Sequence, residues 1–421
     1  MPDNTGDANG GYAHAEGAST MAAGKAAHSE GCLTYAKNDY SHAEGYKTLA
    51  SGFQSHAEGN QTTSEGQQSH AEGAQTLASG RQSHSEGFGT KALANGAHSE
   101  GDSTIVYGCY AHVEGGNSVV GYTDTKPISN TLTVPSNTDD LKGGYAHAEG
   151  SATLAVGKGS HSEGGSTFAS GDYSHAEGIN SESLGHNSHA EGNGSKSIGQ
   201  NSHAEGTRTV ANNNQSHTEG FETKAMANGA HAEGDSTIAY GCYSHVEGAN
   251  CITGYQGSAP STNDLTAPSN TNDNVGGYAH AEGAATLAIG KASHAEGWRT
   301  FANGVYSHAE GYLTQAMGAS SHAEGGGSVA GQSPGTVPSH NTLSIPAEDG
   351  NGDFAHAEGT ATLAVGSGSH AEGLKTFALA EASHAEGAYN EAVNYAQHVC
   401  GKYSITDTTG KAIMQVGIGV S

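Results

Sequence analysis

The sequence predicts an all-β fold, a parallel β-roll or β-solenoid of 14-residue turns, and three observations predict it. Histidine recurs every 14 residues, at positions 14 to 112, and again from 147 to 245, 280 to 322 and 356 to 398. Of the 26 histidines, only His186 and His340 fall outside this register. A glycine stands three residues after every in-register histidine, from Gly17 to Gly401. Around these marks small residues alternate with larger polar ones, as in Ser41-His42-Ala43-Glu44-Gly45.

Composition supports a thin fold. Of 421 residues, 65 are glycine, 34% are hydrophobic and one is tryptophan, too little bulk to fill a wide core. A strict period argues against disorder. The net charge of −27 excludes binding to nucleic-acid phosphates as the main role. No apolar run is long enough to span a membrane, so no membrane insertion is expected. Cys32, Cys109, Cys242, Cys251 and Cys400 are too far apart for a zinc pattern or a disulfide framework and read as small packing residues.

Each turn reads as two short strands joined at glycine-bearing corners. Side chains alternate faces along a strand, so Ser41 and Ala43 share one face while His42 and Glu44 share the other. In the second strand, Thr48 and Ala50 share a face and Leu49 and Ser51 look away. The small set must point inward, because two sheets approach closely only when little lies between them. The corner glycines are expected to supply positive φ or close backbone approach. Stacked turns then satisfy one another's backbone hydrogen bonds.

The register divides the chain into β-roll blocks at 1–115, 145–248, 278–325 and 354–401. Insertions at 116–144, 249–277 and 326–353 separate them, and 402–421 reads as a C-terminal cap, a strand pair or a junction. The blocks open on Tyr12, Tyr145, Tyr278 and Phe354. Long loops on a rigid scaffold are where recognition usually resides. Tyr122, Leu132, Val134, Tyr255, Leu265, Leu343 and Ile345 are therefore the candidate recognition residues, with bracing flaps as the plainer reading.

The His and Glu columns carry the remaining expectations. Glutamate occupies 23 of the 24 positions two residues after the register histidines, so over half of the 43 acidic residues stand in one column. Like charges at strand spacing repel. Adjacent imidazoles are expected to offset this, with glutamate favouring their protonated form. The columns stay constant from turn to turn while the second strand's outward positions drift. That constancy predicts an interface between parallel chains; its closure as a homotrimer follows from the family resemblance described next together with cyclic symmetry. The residues predicted to line it include His14, Glu16, His28, Glu30, His84, Glu86, His175, Glu177, His203, Glu205, His294, Glu296, His370 and Glu372. No cofactor is expected. The alternative is a metal ion along the trimer axis, with His42, Glu44, His56, Glu58, His70 and Glu72 as candidate ligands. No catalytic residue is assigned, since two dozen near-equivalent His/Glu pairs read as a scaffold and no enzyme is expected.

Ser-His-Ala-Glu-Gly followed by Thr-x-Ala-x-Gly resembles the 14-residue repeat of YadA-like head domains in trimeric adhesins, where the first run is Ser-Val-Ala-Ile-Gly. The His/Glu version resembles more closely repeats of prophage tail or appendage proteins of Firmicutes. Those often lead into a self-cleaving intramolecular chaperone, and His398-Val399-Cys400-Gly401-Lys402-Tyr403-Ser404-Ile405 resembles that junction. The resemblance covers about 12–115, 145–248, 278–325 and 354–401. It implies a left-handed parallel β-roll with three chains side by side. It also implies a structural fibre or shaft of a phage tail, located on a virion, whose inserted loops contact a host glycan or protein and whose ends meet other tail or baseplate proteins. A bacterial surface adhesin or extracellular filament is the alternative, and a polysaccharide-degrading tailspike a further one. Met1-Pro2-Asp3-Asn4 reads as an engineered start or as a cut within a longer protein. The lack of an export signal favours the phage setting.

Overall fold

Nearly every turn is built from one five-residue and one two-residue strand, as in His42–Tyr46 and Leu49–Ala50, the turn that opens on the short strand His70–Ala71 being an exception. A computed structural model describes residues 11–121, 143–254, 276–331, 352–404 and 414–418. No helix occurs among them. They form two compact units, 1–201 and 202–421. In the first unit, twelve first strands run from His14–Ala18 to His189–Asn193. In the second, twelve run from His203–Thr207 to His398–Lys402. All pairing is parallel and offset by one turn, so His42 lies beside His56 and Glu44 beside Glu58. Backbone amides link each turn to the next, as in His42 N–H to the Ser55 carbonyl at 2.9 Å.

The ladder is not interrupted by the insertions. His112 pairs with His147, His245 with His280 and His322 with His356. Nor do the insertions begin where the repeat spacing placed them. Val119–Val120, Ile252–Thr253 and Val329–Ala330 complete the last turn of their blocks and pair with the first turn of the next. The described residues of these blocks end at Gly121, Gly254 and Gly331. Tyr145 stacks on Tyr110, and Tyr278 on Tyr243, at 5.6 Å, so the tyrosine opening a block covers the one closing the last.

The core is a strip of small side chains, as the alternation requires. Ala43, Thr48 and Ala50 are fully buried, and Ser41 nearly so. The exceptional valines Val113, Val246 and Val399 sit in the alanine column, also fully buried. Its serines have a separate logic. Ser29, Ser85, Ser99 and Ser162 each meet the threonine five residues on, hydroxyl to hydroxyl at 2.8 Å. Where the column holds alanine, a threonine such as Thr48 is left with a buried hydroxyl and no partner. Ala43→Ser should therefore stabilise the protein by about 1 kcal/mol by giving Thr48 a partner. Urea unfolding of that variant beside wild type checks this, and a destabilised variant would refute it.

The corners depart from expectation. The column glycines do adopt positive φ, as at Gly45 with φ 109°. The second glycine of a turn, such as Gly52, serves close approach alone, since an added Cβ there would lie 1.9 Å from the Gly66 carbonyl oxygen. The left-handed positions near φ 55° are filled mostly by ordinary residues, two per turn, such as Tyr40 and Lys47. Corner geometry imposes this conformation at a local cost of about 1–2 kcal/mol each.

Past His398, the strand Met414–Ile418 adds one more parallel rung, with Met414 beside His398, Val416 beside Cys400 and Gly417 beside Gly401. Gln397 replaces the usual inward serine. Its side-chain oxygen accepts the amides of Val393 at 2.8 Å and Asn394 at 3.0 Å, and its nitrogen donates to Gln415 at 2.9 Å. The break in the repeat pattern thus ties the last rung to the turn before it.

Candidate functional site

Strand alternation points every His and Glu of the two columns away from the core, while the one-turn register stacks like upon like. In the first unit the imidazoles form a pile from His14 to His189, with successive centroids 4.6–5.1 Å apart. In the second unit the pile runs from His203 to His398 with centroids 4.5–5.0 Å apart. Most neighbouring rings are nearly parallel, as for His42 and His56 at 6°. His14 and Glu16, on the first rung, are exposed.

Most of these histidines also face the glutamate of their own turn, while His398, with Cys400 in that place, meets Glu386 of the turn before at 3.6 Å. Nε2 to Oε2 is 4.0 Å for His28–Glu30, 3.8 Å for His42–Glu44, 3.9 Å for His56–Glu58 and 4.0 Å for His84–Glu86. It shortens to 3.4 Å for His70–Glu72 and 3.6 Å for His175–Glu177, and is 3.9 Å for His294–Glu296. His203, Glu205 and His370 are half-buried in the same columns, while Glu372 is exposed. Most of these separations exceed a hydrogen bond. Nε2 of His28, His42, His56, His70 and His84 is shut off from solvent and has no hydrogen-bond partner.

The glutamates raise the histidines as expected, but the net shift runs the other way. Burial, then the neighbouring imidazoles, push His56 and His98 below the ordinary histidine value, and the glutamates only partly oppose this. His175 and His231 are lowered to about 4 by the same causes. At neutral pH the histidines so lowered, His56, His98, His175 and His231 among them, are neutral imidazoles.

The candidate recognition residues Tyr122, Leu132, Val134, Tyr255, Leu265, Leu343 and Ile345 lie outside the described residues. Cys109, Cys242 and Cys251 are buried, in line with a packing role. The structure adds surface features that the repeat analysis passed over. Trp298 and Tyr312 stack at 4.8 Å, with Arg299 over the indole at 4.3 Å. Tyr389 and Tyr403 stack at 4.7 Å. Their signal was in the sequence, as aromatics one turn apart at the same corner. Gln54, Gln68 and Gln82 form an exposed amide ladder at 3.2–3.3 Å.

The family model for the YadA head domain repeat, two copies long, matches residues 43–69, 176–195 and 357–379. The turn is similar to a YadA head repeat. The matched segments fall in the first, second and fourth blocks, each beginning on or beside the inward alanine of the first strand. The YadA-type turn thus recurs in both compact units. No curated protein matches the chain.

Proposed function

We propose that this chain is the repetitive body of a surface-displayed structural fibre that self-associates as three parallel chains through its His/Glu face, and that it is not an enzyme. The observation that carries this reading is the uniformity of that face. The His and Glu side chains of the ion-pair contacts keep 32–51% exposure, with little variation along either unit. A constant stripe with solvent-inaccessible, unpartnered ring nitrogens fits a surface made to be covered. A catalytic centre would need one preorganised acid–base arrangement, whereas the same His/Glu pair repeats from turn to turn. The similarity to YadA head repeats supports self-association and display at a surface.

We place the fibre in a phage tail or appendage, where the inserted segments would contact a host glycan or protein and the ends would meet other tail or baseplate proteins. The match to a head repeat of adhesins favours a second setting, a bacterial surface adhesin built on the same body. Multi-angle light scattering of the chain at pH 7.5 is expected to return three chain masses. A monodisperse monomer would reject the self-association reading.

A further inference from the structure

Two features of the His/Glu face point beyond a purely structural role. The first is the set of Nε2 atoms of His28, His42, His56, His70 and His84, closed to solvent and without hydrogen-bond partners. Buried polar atoms in native proteins are normally satisfied, so a repeated orphan asks for a ligand. The second is the grouping of donors. His70, Glu72 and His84 each present one ligand-type atom, and all three atoms lie within 4.8 Å of one another. The same holds for His98, Glu100 and His112, and for His147, Glu149 and His161, with further groups along the face.

Distances rank the sites. Metal–ligand bonds of about 2.0–2.1 Å hold two ligands of a tetrahedral ion roughly 3.3 Å apart. His70 Nε2 and Glu72 Oε2 are already 3.4 Å apart, the shortest His–Glu separation among the described pairs. The first strand of this turn is only His70–Ala71, where the neighbouring turns have five-residue strands at His56–Asn60 and His84–Phe88, although the Glu72 amide still donates to the Ser85 carbonyl at 2.9 Å. His84 supplies the third donor from the next turn.

The rings of His70 and His84 stack at 4.9 Å and 11°, so their in-plane lone pairs run side by side. Closing the site requires one ring to turn about its side-chain bonds, which a half-exposed side chain allows. Two imidazole nitrogens and one carboxylate oxygen suit zinc, copper, nickel and cobalt, whereas magnesium and calcium call for oxygen alone. The fourth position stays open to water.

We propose that the His/Glu face binds divalent transition-metal ions, with His70, Glu72 and His84 as the best-formed site and the other turns as a row of weaker copies. Successive triads can share a histidine, as His161 serves both His147–Glu149 and Glu163–His175. Ions therefore occupy alternate turns at most. Each site is complete within one chain, so the inference does not rest on self-association.

The test uses the full chain, stripped with a chelator and titrated with cobalt(II) alone at pH 7.5. The visible d–d bands report coordination and elemental analysis counts bound ions. More than one cobalt per chain is expected, with four-coordinate bands, displacement by zinc and indifference to excess magnesium. Glu72→Gln, which keeps size and shape, should weaken the tightest site at least 10-fold while circular dichroism stays unchanged. His84→Gln should do the same, which guards against a folding defect in either variant. Less than one cobalt per chain, equal binding by the urea-unfolded chain, or unaltered tight binding in both variants would overturn the proposal. Light scattering on the same samples separates the two readings, since a monomer that binds cobalt removes self-association and leaves this site standing.

Discussion

Gly45→Ala is expected to destabilise the protein by about 3 kcal/mol or more and to detach its turn from the next. Two independent penalties act at this position. Its φ of 109° lies well outside the left-handed well that some L-residues tolerate. An added Cβ would also stand 2.2 Å from the Gly59 carbonyl oxygen, and that oxygen belongs to backbone held in the ladder. Relief demands that two turns separate, which breaks the parallel bonds around Gly45 and Gly59. In a solenoid each repeat contacts only its neighbours, so the damage stays local and unfolding becomes less cooperative. Gly116→Ala is the matched control. Nothing lies within 4 Å of its added Cβ, and its effect should stay within about 0.5 kcal/mol. Urea unfolding followed by circular dichroism compares the two, and equal stabilities would refute the argument.

Acid is the second strong lever. An unfolded histidine titrates near 6.5. In the folded protein His175 and His231 are lowered to about 4, and His56, His70, His98 and His161 are also lowered, by burial first and by the neighbouring rings next. Between the two values the unfolded chain binds more protons than the folded one. Stability therefore rises with pH across that window. It is intact above pH 6.5, falls as pH drops toward 4, and changes no further from this source below that. Many histidines contribute together, so Tm should drop by about 10 °C or more between pH 7.5 and pH 4.5. The columns are half-exposed, and added salt should recover part of the loss. Thermal melts across this range check the prediction. A Tm that holds constant from pH 7.5 to 5 would contradict it.

Much of the architecture was legible because a period of 14 with a two-residue alternation leaves one way to sort the side chains. Ala43, Thr48 and Ala50 inward, and His42 and Glu44 outward, follow from that alone. The corners were less legible. Tyr40 and Lys47 carry no mark of a left-handed backbone, which is imposed by the turn that contains them. Val119–Val120 escaped notice as a strand because Ser118-Val119-Val120-Gly121 lacks the Thr-x-Ala signature. The site was half legible. The sequence placed His beside Glu, but the net shift depends on burial and ring spacing. At His56 burial lowers the value first, and the imidazoles stacked at about 4.6 Å add to it, which outweighs a carboxylate nearly 4 Å away.

Nearly identical rungs also carry little address. A first strand that paired two turns ahead would find the same His-x-Glu-Gly and much the same hydrogen bonds, so a slip by a whole turn costs little locally. What distinguishes the correct partner is irregularity. His112 pairs 35 residues ahead, His245 35 and His322 34, where 14 is the rule. Tyr110 and Tyr145 mark one of these joints, and Tyr243 and Tyr278 another. A chain that miscounts by one turn would draw an inserted segment into the ladder or strand an aromatic without its pair. The interruptions thus act as counting marks, confining each miscount to the block where it began.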